Sequence, residues 1–254
     1  NFYGPCDDDQ AHNVLKTAID LGLNHLDTSN VYGMGTSEER IGSFLKKQGK
    51  QANNLFSIAT KAAIYRNPDT GARGFNNSFT HLEDELDKSL ERMNIDCVDL
   101  FYVHRRDPNI LIEEVTESLA KLVKKGKTLN IGYSEISPSS LIRATSIHQV
   151  AAVQSEYSLS TRSPEMGLIQ TCKNLGTALV AFSPVGRTLL TDSPLSYQFA
   201  QTLDFTKNNP RFMQPNYDAN ISITDKFRSY ASDHGVAAST LAIAWILAKE
   251  EHII

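Results

Sequence analysis

The sequence predicts an α/β fold in which helices connect the strands of a parallel sheet, and two observations lead to this prediction. Short apolar runs that resemble strands alternate with amphipathic helical stretches along the chain. The clearest run, DCVDLFYVH at 96–104, has few polar members, which is typical of a strand buried on both faces. Such alternation is typical of parallel sheets with helical crossovers. Two architectures remain open, a doubly wound open sheet and a closed (β/α)8 TIM barrel.

Seven segments are predicted as strands, whereas a closed barrel needs eight. In chain order they are 23–27, 55–61, 96–104, 129–134, 151–155, 178–183 and 252–254. Because the last segment has only three residues, our hypothesis is that a first strand and a last helix lie outside this sequence. We expect the 254 residues to form one domain, 1–254, since single barrels commonly have this length.

The segments between the strands have helical patterns. In 78–93 apolar residues recur at three- and four-residue steps, at Leu82, Leu86, Leu90 and Met93. In 113–127 acids come first and lysines last, which matches the helix dipole and indicates a solvated helix end. Gly126 is expected at the C-cap of that helix, and Thr36 with Glu39 predicts a capping box. Trp245 lies in an apolar helical stretch and is expected in the core.

Composition and charge exclude several classes of partner. The net charge is −4 with acids and bases interspersed, which disfavours nucleic-acid and polybasic membrane binding. No apolar run is long enough to span a bilayer. The three cysteines form no C-x-x-C pair, so we expect neither a disulfide framework nor a metal site, and a reducing cytoplasmic setting. A monomer is the default expectation.

Two long connections, 62–77 and 187–220, follow predicted strands. Loops of this length are usually binding loops or lids, and in a barrel both would lie at the carboxyl ends of the strands. We expect one aromatic residue on the segments that border this mouth to line a substrate pocket, the candidates being Tyr3, Tyr65 and Phe75.

Polar or aromatic residues end the predicted strands. They are Asp27, Lys61, His104, Ser134, Gln154 and the pair Phe182–Ser183. The carboxyl ends of barrel strands converge on one mouth, and Tyr32 reaches the same mouth from the loop after Asp27. Each residue alone has an ordinary structural explanation, such as a cap, a packing residue or a solvated lysine. Only their joint occurrence at successive strand ends favours a site.

The residue types suit acid–base chemistry at an oxygen atom. A free tyrosine has a pKa near 10, and a neighbouring lysine ammonium is expected to lower the pKa of Tyr32. Asp27 would keep Lys61 charged and oriented, and His104 can donate a hydrogen bond to a substrate oxygen. Such a group is a general acid or base at a carbonyl or alcohol oxygen.

Motifs across nearly the whole chain resemble the aldo-keto reductase family. They are LDTSNVYG, SEERIG, ATK, DLFYVHR, IGYSEIS, AAVQSEYS and VAFSPVGR, in the order the family has them. The last two look closest to the bacterial and fungal branch that acts on small aldehydes. The resemblance implies an eight-stranded barrel and NADPH (NADP) bound without a Rossmann fold.

The resemblance also implies roles for individual residues. The catalytic set would be Tyr32 as proton donor, Lys61 and Asp27 tuning it, and His104 orienting the carbonyl. The nicotinamide carboxamide would be held by Ser134 and Gln154, with Glu135 able to accept from its amine, and Phe182 would stack on the ring. The pyrophosphate would follow the segment Ser183, Pro184, Val185, Gly186 and Arg187, with Arg187 as its ionic partner.

Other functions remain open at this point. The sequence lacks a G-x-S-x-G elbow and a P-loop, which weakens serine-hydrolase and nucleotide-hydrolase interpretations. The favoured function is NADPH-dependent reduction of small or aromatic aldehydes and ketones. One alternative is a nicotinamide-nucleotide-sensing protein of the same fold with little turnover. Another is a barrel hydrolase or lyase that uses Asp27 and His104 as acid and base.

Overall fold

The computed structural model describes residues 6–49, 55–67 and 70–254; Tyr3, one of the pocket candidates, lies outside them. The strands are β1 His25–Asp27, β2 Ser57–Ala62, β3 Ile64–Arg66, β4 Arg73–Phe75, β5 Val98–Val103, β6 Thr128–Ser134, β7 Val150–Glu156 and β8 Ala178–Phe182. The helices are α1 Asp8–Asp20, α2 Thr36–Gln48, α3 Phe79–Met93, α4 Ile112–Lys124, α5 Pro138–Thr145, α6 Leu168–Leu175, α7 Tyr197–Ala200, α8 Asn216–Asp233 and α9 Ala238–Leu247. Short 3-10 turns lie at Tyr32–Gly35, Ser163–Met166 and Pro210–Phe212.

The predicted parallel sheet is confirmed. Its strand order is β1-β2-β5-β6-β7-β8, and helices lie between the successive strands in the chain. The register pairs Asp27 with Ala59, Lys61 with Tyr102, and Ser134 with Gln154. Since the strands are parallel, their carboxyl ends lie at one edge of the sheet.

All seven predicted strand segments are extended, although the last is only a bridge. Ile253 forms an isolated parallel bridge with Leu179 of β8. The amide of Leu179 donates to the carbonyl of His252 at 2.9 Å, and the amide of Ile254 donates to the carbonyl of Leu179 at 2.9 Å, which is the hydrogen-bonding pattern of a parallel pair.

The described residues fall into two compact units. The first contains 6–154 and 171–177, and the second contains 155–170 and 178–254. The core of the first unit is formed by apolar strand side chains and helix faces, including Phe101, Tyr102, Tyr133, Leu86 and Leu119, all with no exposed surface. Burial of each such side chain stabilises the fold by about 1.5–3 kcal/mol.

Gly132 of β6 is required by close packing of the first unit's core. A Cβ atom at this position would lie 2.5 Å from two ring carbons of Tyr102, which belongs to the neighbouring strand β5. Real Cβ atoms do not approach other atoms this closely, so only glycine admits the tyrosine ring here.

The helix signals in the sequence were mostly confirmed. In α3, the hydroxyl of Ser78 accepts from the amide of His81, and the predicted apolar face is buried. Helix α4 begins with acids, and Gly126 follows its C-cap residue with a left-handed φ of 73°. The lysine cluster at its end is a surface feature, since Lys125 and Lys127 both pair with Glu83.

Two local predictions were wrong. Thr36 is inside α2 after Gly35, and its hydroxyl donates to the carbonyl of Gly33, so it does not form a capping box with Glu39. Trp245 is only half-buried, because Lys249 lies over its ring at 4.2 Å and keeps one face polar.

The two long connections are also more ordered than expected. The first contains the antiparallel hairpin β3–β4, in which Tyr65 pairs with Gly74 and Phe75 with Ile64. The second contains α7, a 3-10 turn and the start of α8. Tyr65 packs its ring against Gly74 and lies edge-on to His81 at 5.9 Å, and Phe75 is partly exposed.

Candidate active site

A fixed loop after β1 holds Tyr32. The amide of Thr28 donates to Ala59 at 2.9 Å and that of Asn30 donates to Lys61 at 3.2 Å, so the loop continues the pairing of β1 with β2. The amide of Tyr32 then donates to Ser29 at 3.0 Å, which starts the 3-10 turn. Because the loop is bonded to the neighbouring strand on both sides of Ser29, the position of Tyr32 is determined by the sheet.

Glycine is needed where this turn enters α2. Gly35 has φ 96°, and a Cβ atom there would lie 2.8 Å from Nε of Arg92. Arg92 is held by the fully buried carboxylate of Glu38 at 2.6 Å, whose other oxygen accepts from Thr60 at 2.5 Å. The turn therefore packs on a buried ion pair just beneath the strand that carries the predicted lysine.

The buried Lys61 forms an ion pair with Asp27, whose side chain is 28% exposed. The Lys61 ammonium has no exposed surface, and it donates to Oδ1 of Asp27 and, at 2.8 Å, to the carbonyl of Thr28. The other oxygen of Asp27 accepts from Nε2 of Gln154 at 2.8 Å. The alternative of a solvated Lys61 is therefore wrong, and the carboxylate is oriented by partners on both of its oxygens.

Tyr32 and His104 lie beside this pair. The Lys61 ammonium is 5.1 Å from the centre of the Tyr32 ring, and the rings of Tyr32 and His104 meet edge-on with centres 5.9 Å apart. The four residues Asp27, Tyr32, Lys61 and His104 are thus brought together at the carboxyl ends of β1, β2 and β5.

The pKa values depart from the expectation in one respect. The pKa of Tyr32 is raised to about 12, chiefly by burial and then by the charge of Asp27, while Arg105 opposes the rise. Burial also lowers the pKa of Lys61, although Asp27 counteracts this. The predicted lowering of the tyrosine pKa by lysine is wrong for the structure as described, because burial of the phenol outweighs the neighbouring positive charges.

His104 is neutral across the physiological range. Burial lowers its pKa to about 3, and the positive charges of Lys61, Arg105 and Arg73 act in the same direction. A neutral imidazole has one N–H donor, and its tautomer is set by the partner of its other nitrogen.

That partner is Ser29, which the sequence analysis missed. Its hydroxyl lies 3.1 Å from Nδ1 of His104 and 3.2 Å from the carbonyl of Lys61. The hydroxyl has one proton, which it donates either to the carbonyl of Lys61 or to Nδ1. When Ser29 donates to Nδ1, the proton of His104 is on Nε2, where it is available to a carbonyl oxygen. Ser29 lies between two predicted site residues in the motif LDTSNVYG, and its small polar side chain was the only available signal.

Arg105 is a second residue that the sequence analysis did not assign. Its Nη1 donates to the carbonyl of His104 at 2.6 Å and to the hydroxyl of Ser134 at 2.7 Å. The backbone carbonyl of Arg105 accepts from Asn77, which is itself buried. A guanidinium therefore lies between the ends of β5 and β6, next to the residue predicted to hold a carboxamide.

The remaining predicted residues of the first unit lie at the ends of β6 and β7. Ser134 and Gln154 are buried and adjacent in register. Glu135 is exposed, has φ 56°, and its amide donates to the carbonyl of Gln154 at 2.9 Å. The side chains of Ser134 and Gln154 already bond Arg105 and Asp27, so each is fixed in orientation.

In the second unit, the segment after β8 has an unusual backbone. Ser183, Arg187 and Thr188 all have positive φ, at 52°, 56° and 81°. Non-glycine residues in this region cost of order 1–3 kcal/mol and cluster at ligand sites. Phe182 precedes the segment and is half-buried, and within 6–49, 55–67 and 70–254 the buried Nε of Arg187 has no hydrogen-bond partner. An unpartnered guanidinium nitrogen fits an anionic group such as a phosphate.

Taken together, the fold and these side chains define a class of protein: a parallel α/β scaffold with a tyrosine placed beside an ion pair of a buried lysine with an aspartate, and beside a neutral histidine. The profile of the Aldo/keto reductase family matches residues 1–254. The chain therefore belongs to the aldo-keto reductase family, a family of oxidoreductases, and the prediction of a (β/α)8 barrel is confirmed.

Individual relatives agree with this assignment. The chain is 36% identical to the aldo-keto reductase yakc of Schizosaccharomyces pombe, whose name carries NADP(+), over 100% of this chain and 75% of that protein. It is 37% identical to the aldo-keto reductase str7 of Strobilurus tenacellus, over 100% of this chain and 74% of the relative. The solved glycerol dehydrogenase AKR11B4 from Gluconobacter oxydans superposes with a TM-score of 0.83 at 25% identity, covering 99% of this chain and 76% of that one.

Within 6–49, 55–67 and 70–254, every helix is too short or too polar to cross a bilayer.

Proposed function

We propose that this protein is an NADP-dependent carbonyl reductase that converts small or aromatic aldehydes and ketones to alcohols, with Tyr32 as general acid. The observation that carries the proposal is the cluster of Tyr32 with the buried Lys61–Asp27 pair and neutral His104. The family membership and the NADP(+) in the name of the yakc relative support the choice of cofactor.

The state of each group suits the reductive direction. Because the pKa of Tyr32 is raised to about 12, its phenol is protonated at neutral pH and has a proton to donate from Oη. The negative charge that remains on Tyr32 is stabilised by the Lys61 ammonium. His104 donates from Nε2 to the carbonyl oxygen and so orients it towards Tyr32. When bound, NADPH supplies the hydride.

The residues proposed to hold the cofactor offer matching groups. Ser134, Glu135 and Gln154 have polar side chains suited to a carboxamide, and two of them have fixed orientations. Phe182 has a ring face suited to stacking. The segment 183–187 carries Arg187, whose orphaned Nε suits a pyrophosphate oxygen.

The experiment is NADPH consumption with a reactive aromatic aldehyde, comparing the wild type with Tyr32→Phe. The proposal predicts aldehyde-dependent consumption that falls about 10²–10⁴-fold in the variant. Tyr230→Phe is the matched control, because Tyr230 is an exposed tyrosine of α8 and its hydroxyl is unconnected with the cluster. Full activity in Tyr32→Phe would refute the assigned role.

The binding side of the same experiment separates the alternatives. Tight NADPH binding without turnover of any carbonyl compound would support a nucleotide-sensing protein instead. Absence of both binding and turnover would contradict the proposed function. Hydrolysis by the wild type without cofactor, lost in Asp27→Asn and in His104→Gln, would favour a hydrolase.

A further inference from the structure

One carboxylate of the second unit, Glu156 at the end of β7, forms ion pairs with two arginines from distant parts of the sequence. Nη1 of Arg211 lies 2.5 Å from Oε1, and Nη2 of Arg187 lies 3.6 Å from Oε2. The Glu156 side chain is only 15% exposed, so its charge requires compensation. The cluster therefore links the segment proposed to hold the pyrophosphate to an internal anion.

The two arginines are held very differently. Arg211 makes a short contact with Glu156, donates to the hydroxyl of Thr161 at 3.1 Å, and has its own amide fixed by Asn209. Its position is thus set by three partners.

Arg187 is held loosely by comparison. Its contact with Glu156 is more than 1 Å longer than that of Arg211, at 3.6 against 2.5 Å, and its buried Nε has no hydrogen-bond partner among the residues that the structure describes. Its backbone has a left-handed φ of 56° in a segment with two further left-handed residues, Ser183 and Thr188. Arg187 therefore has unused hydrogen-bonding capacity. Arg211 contacts Glu156 closely and can neutralise its charge without Arg187.

We propose that Glu156 is a positioning residue that competes with the cofactor phosphates for Arg187, so that it sets the affinity and the release rate of NADP. This inference rests on the proposed function, because it takes the segment 183–187 as the pyrophosphate site. In the cofactor-free protein Arg187 pairs with Glu156. On binding, Arg187 turns to the phosphate, and Arg211 keeps Glu156 compensated.

The arrangement has a physical consequence for binding. The ion pair between Arg187 and Glu156 must be broken before Arg187 can bind a phosphate. The apparent association constant is therefore the intrinsic one multiplied by the fraction of molecules in which Arg187 is free. Without Arg211, that exchange would leave a poorly solvated, uncompensated carboxylate, which is strongly unfavourable. The second arginine therefore makes the exchange reversible.

The test is the dissociation constant of NADP+ measured by calorimetry, and its release rate measured by a stopped-flow chase. Glu156→Gln should bind NADP+ about fivefold more tightly, the size expected from losing a partly exposed ion pair, and should release it correspondingly more slowly. Arg187→Met should weaken binding. The gain from Glu156→Gln should vanish in the Arg187→Met background and persist in the Arg211→Met background, because only Arg187 is exchanged.

Each outcome bears on the inference. If Glu156→Gln leaves affinity unchanged while Arg187→Met weakens it, the competition is refuted and the pyrophosphate site stands. If the gain disappears with Arg211→Met instead, the wrong arginine has been assigned. If the wild type does not bind NADP+, the proposed function fails and this inference fails with it. Should Glu156→Gln not fold, Glu156→Asp keeps the charge and withdraws it by one methylene, and tighter binding is again expected.

Discussion

Replacing Asp27 by Asn tests the buried ion pair of the candidate active site, since it keeps the shape of the side chain and removes its charge. Lys61 has no exposed surface, and Asp27 is the carboxylate that contacts its ammonium. After the substitution the ammonium keeps the carbonyl of Thr28 at 2.8 Å as an acceptor, but no contacting anion compensates its charge.

The expected cost follows from this geometry. Removing one partner of a buried ion pair typically costs about 3–5 kcal/mol. Asp27 is 28% exposed and Thr28 remains bonded, so we expect about 3 kcal/mol in the free energy of unfolding near pH 7. For a domain of this size that corresponds to a lowering of Tm by about 6–12 °C.

The loss of stability caused by Asp27→Asn should depend on pH, and the direction of this dependence follows from the pKa of Lys61. Burial lowers the pKa of Lys61 and Asp27 opposes this, so the pKa falls further in Asp27→Asn. Where the folded protein holds neutral lysine and the unfolded chain holds the charged form, stability rises with pH up to the unfolded pKa near 10.4. The destabilisation by Asp27→Asn should therefore be largest near pH 7 and become smaller towards pH 10.

The assay is urea denaturation of the wild type and the variant between pH 7 and 10. The control is Asp27→Asn introduced into Lys61→Met, where the cost should not change with pH because the ammonium is absent. An equal loss of stability at pH 7 and pH 10 with Lys61 present would refute the reasoning.

Three further outcomes are expected. Gly132→Ala should destabilise the protein by about 2–3 kcal/mol in urea denaturation, because its Cβ atom would overlap the ring of Tyr102; an unchanged midpoint would contradict this. His104 should stay neutral in an NMR titration down to pH 5, and a titration midpoint above pH 6 would be inconsistent with its burial. Stability should decrease as the pH is lowered from the unfolded pKa near 6.5 to about 3, and His104→Gln should weaken this dependence. Arg105→Met should raise the pKa of Tyr32 and lower kcat by less than the roughly 10²-fold expected from losing the acid itself, with partial recovery in Arg105→Lys; an unchanged kcat would show that Arg105 does not act on Tyr32.

The sheet could be predicted well because its strands carry strong, local signals. β5 is a nearly continuous apolar run, which predicts a buried strand, and the polar residue after it, His104, lies at the edge of the sheet. Asp27 and Gln154 lie 127 positions apart, yet both follow the same rule, and their side chains are bonded in the structure. Strand ends can be predicted because parallel strands share one direction.

The contacts that modify these residues could not be predicted in the same way. Ser29 contacts the ring nitrogen Nδ1 of His104, and Arg105 donates to the hydroxyl of Ser134. Both contacts depend on side-chain rotamers, and that of Ser29 also depends on the course of the loop after β1. Glu156 meets Arg211, which is 55 positions away in a connection with no periodic pattern. Trp245 was misplaced because an apolar helix indicates burial of its face, while cations at 4.2 and 5.5 Å cover part of its ring.

The pKa of Tyr32 shows why charge counting from sequence is insufficient at such a site. A lysine and an arginine near a phenol suggest a lowered pKa, but Lys61 is compensated by Asp27, and Asp27 itself raises the pKa of Tyr32. Burial of the phenol is the largest contribution, the charge of Asp27 adds to it, and the opposing charge of Arg105 is outweighed. A protonated tyrosine beside a compensated lysine suits donation of a proton to a carbonyl product. In the reverse direction the same phenol would have to lose its proton first, so oxidation of alcohols should require higher pH than reduction of carbonyl compounds.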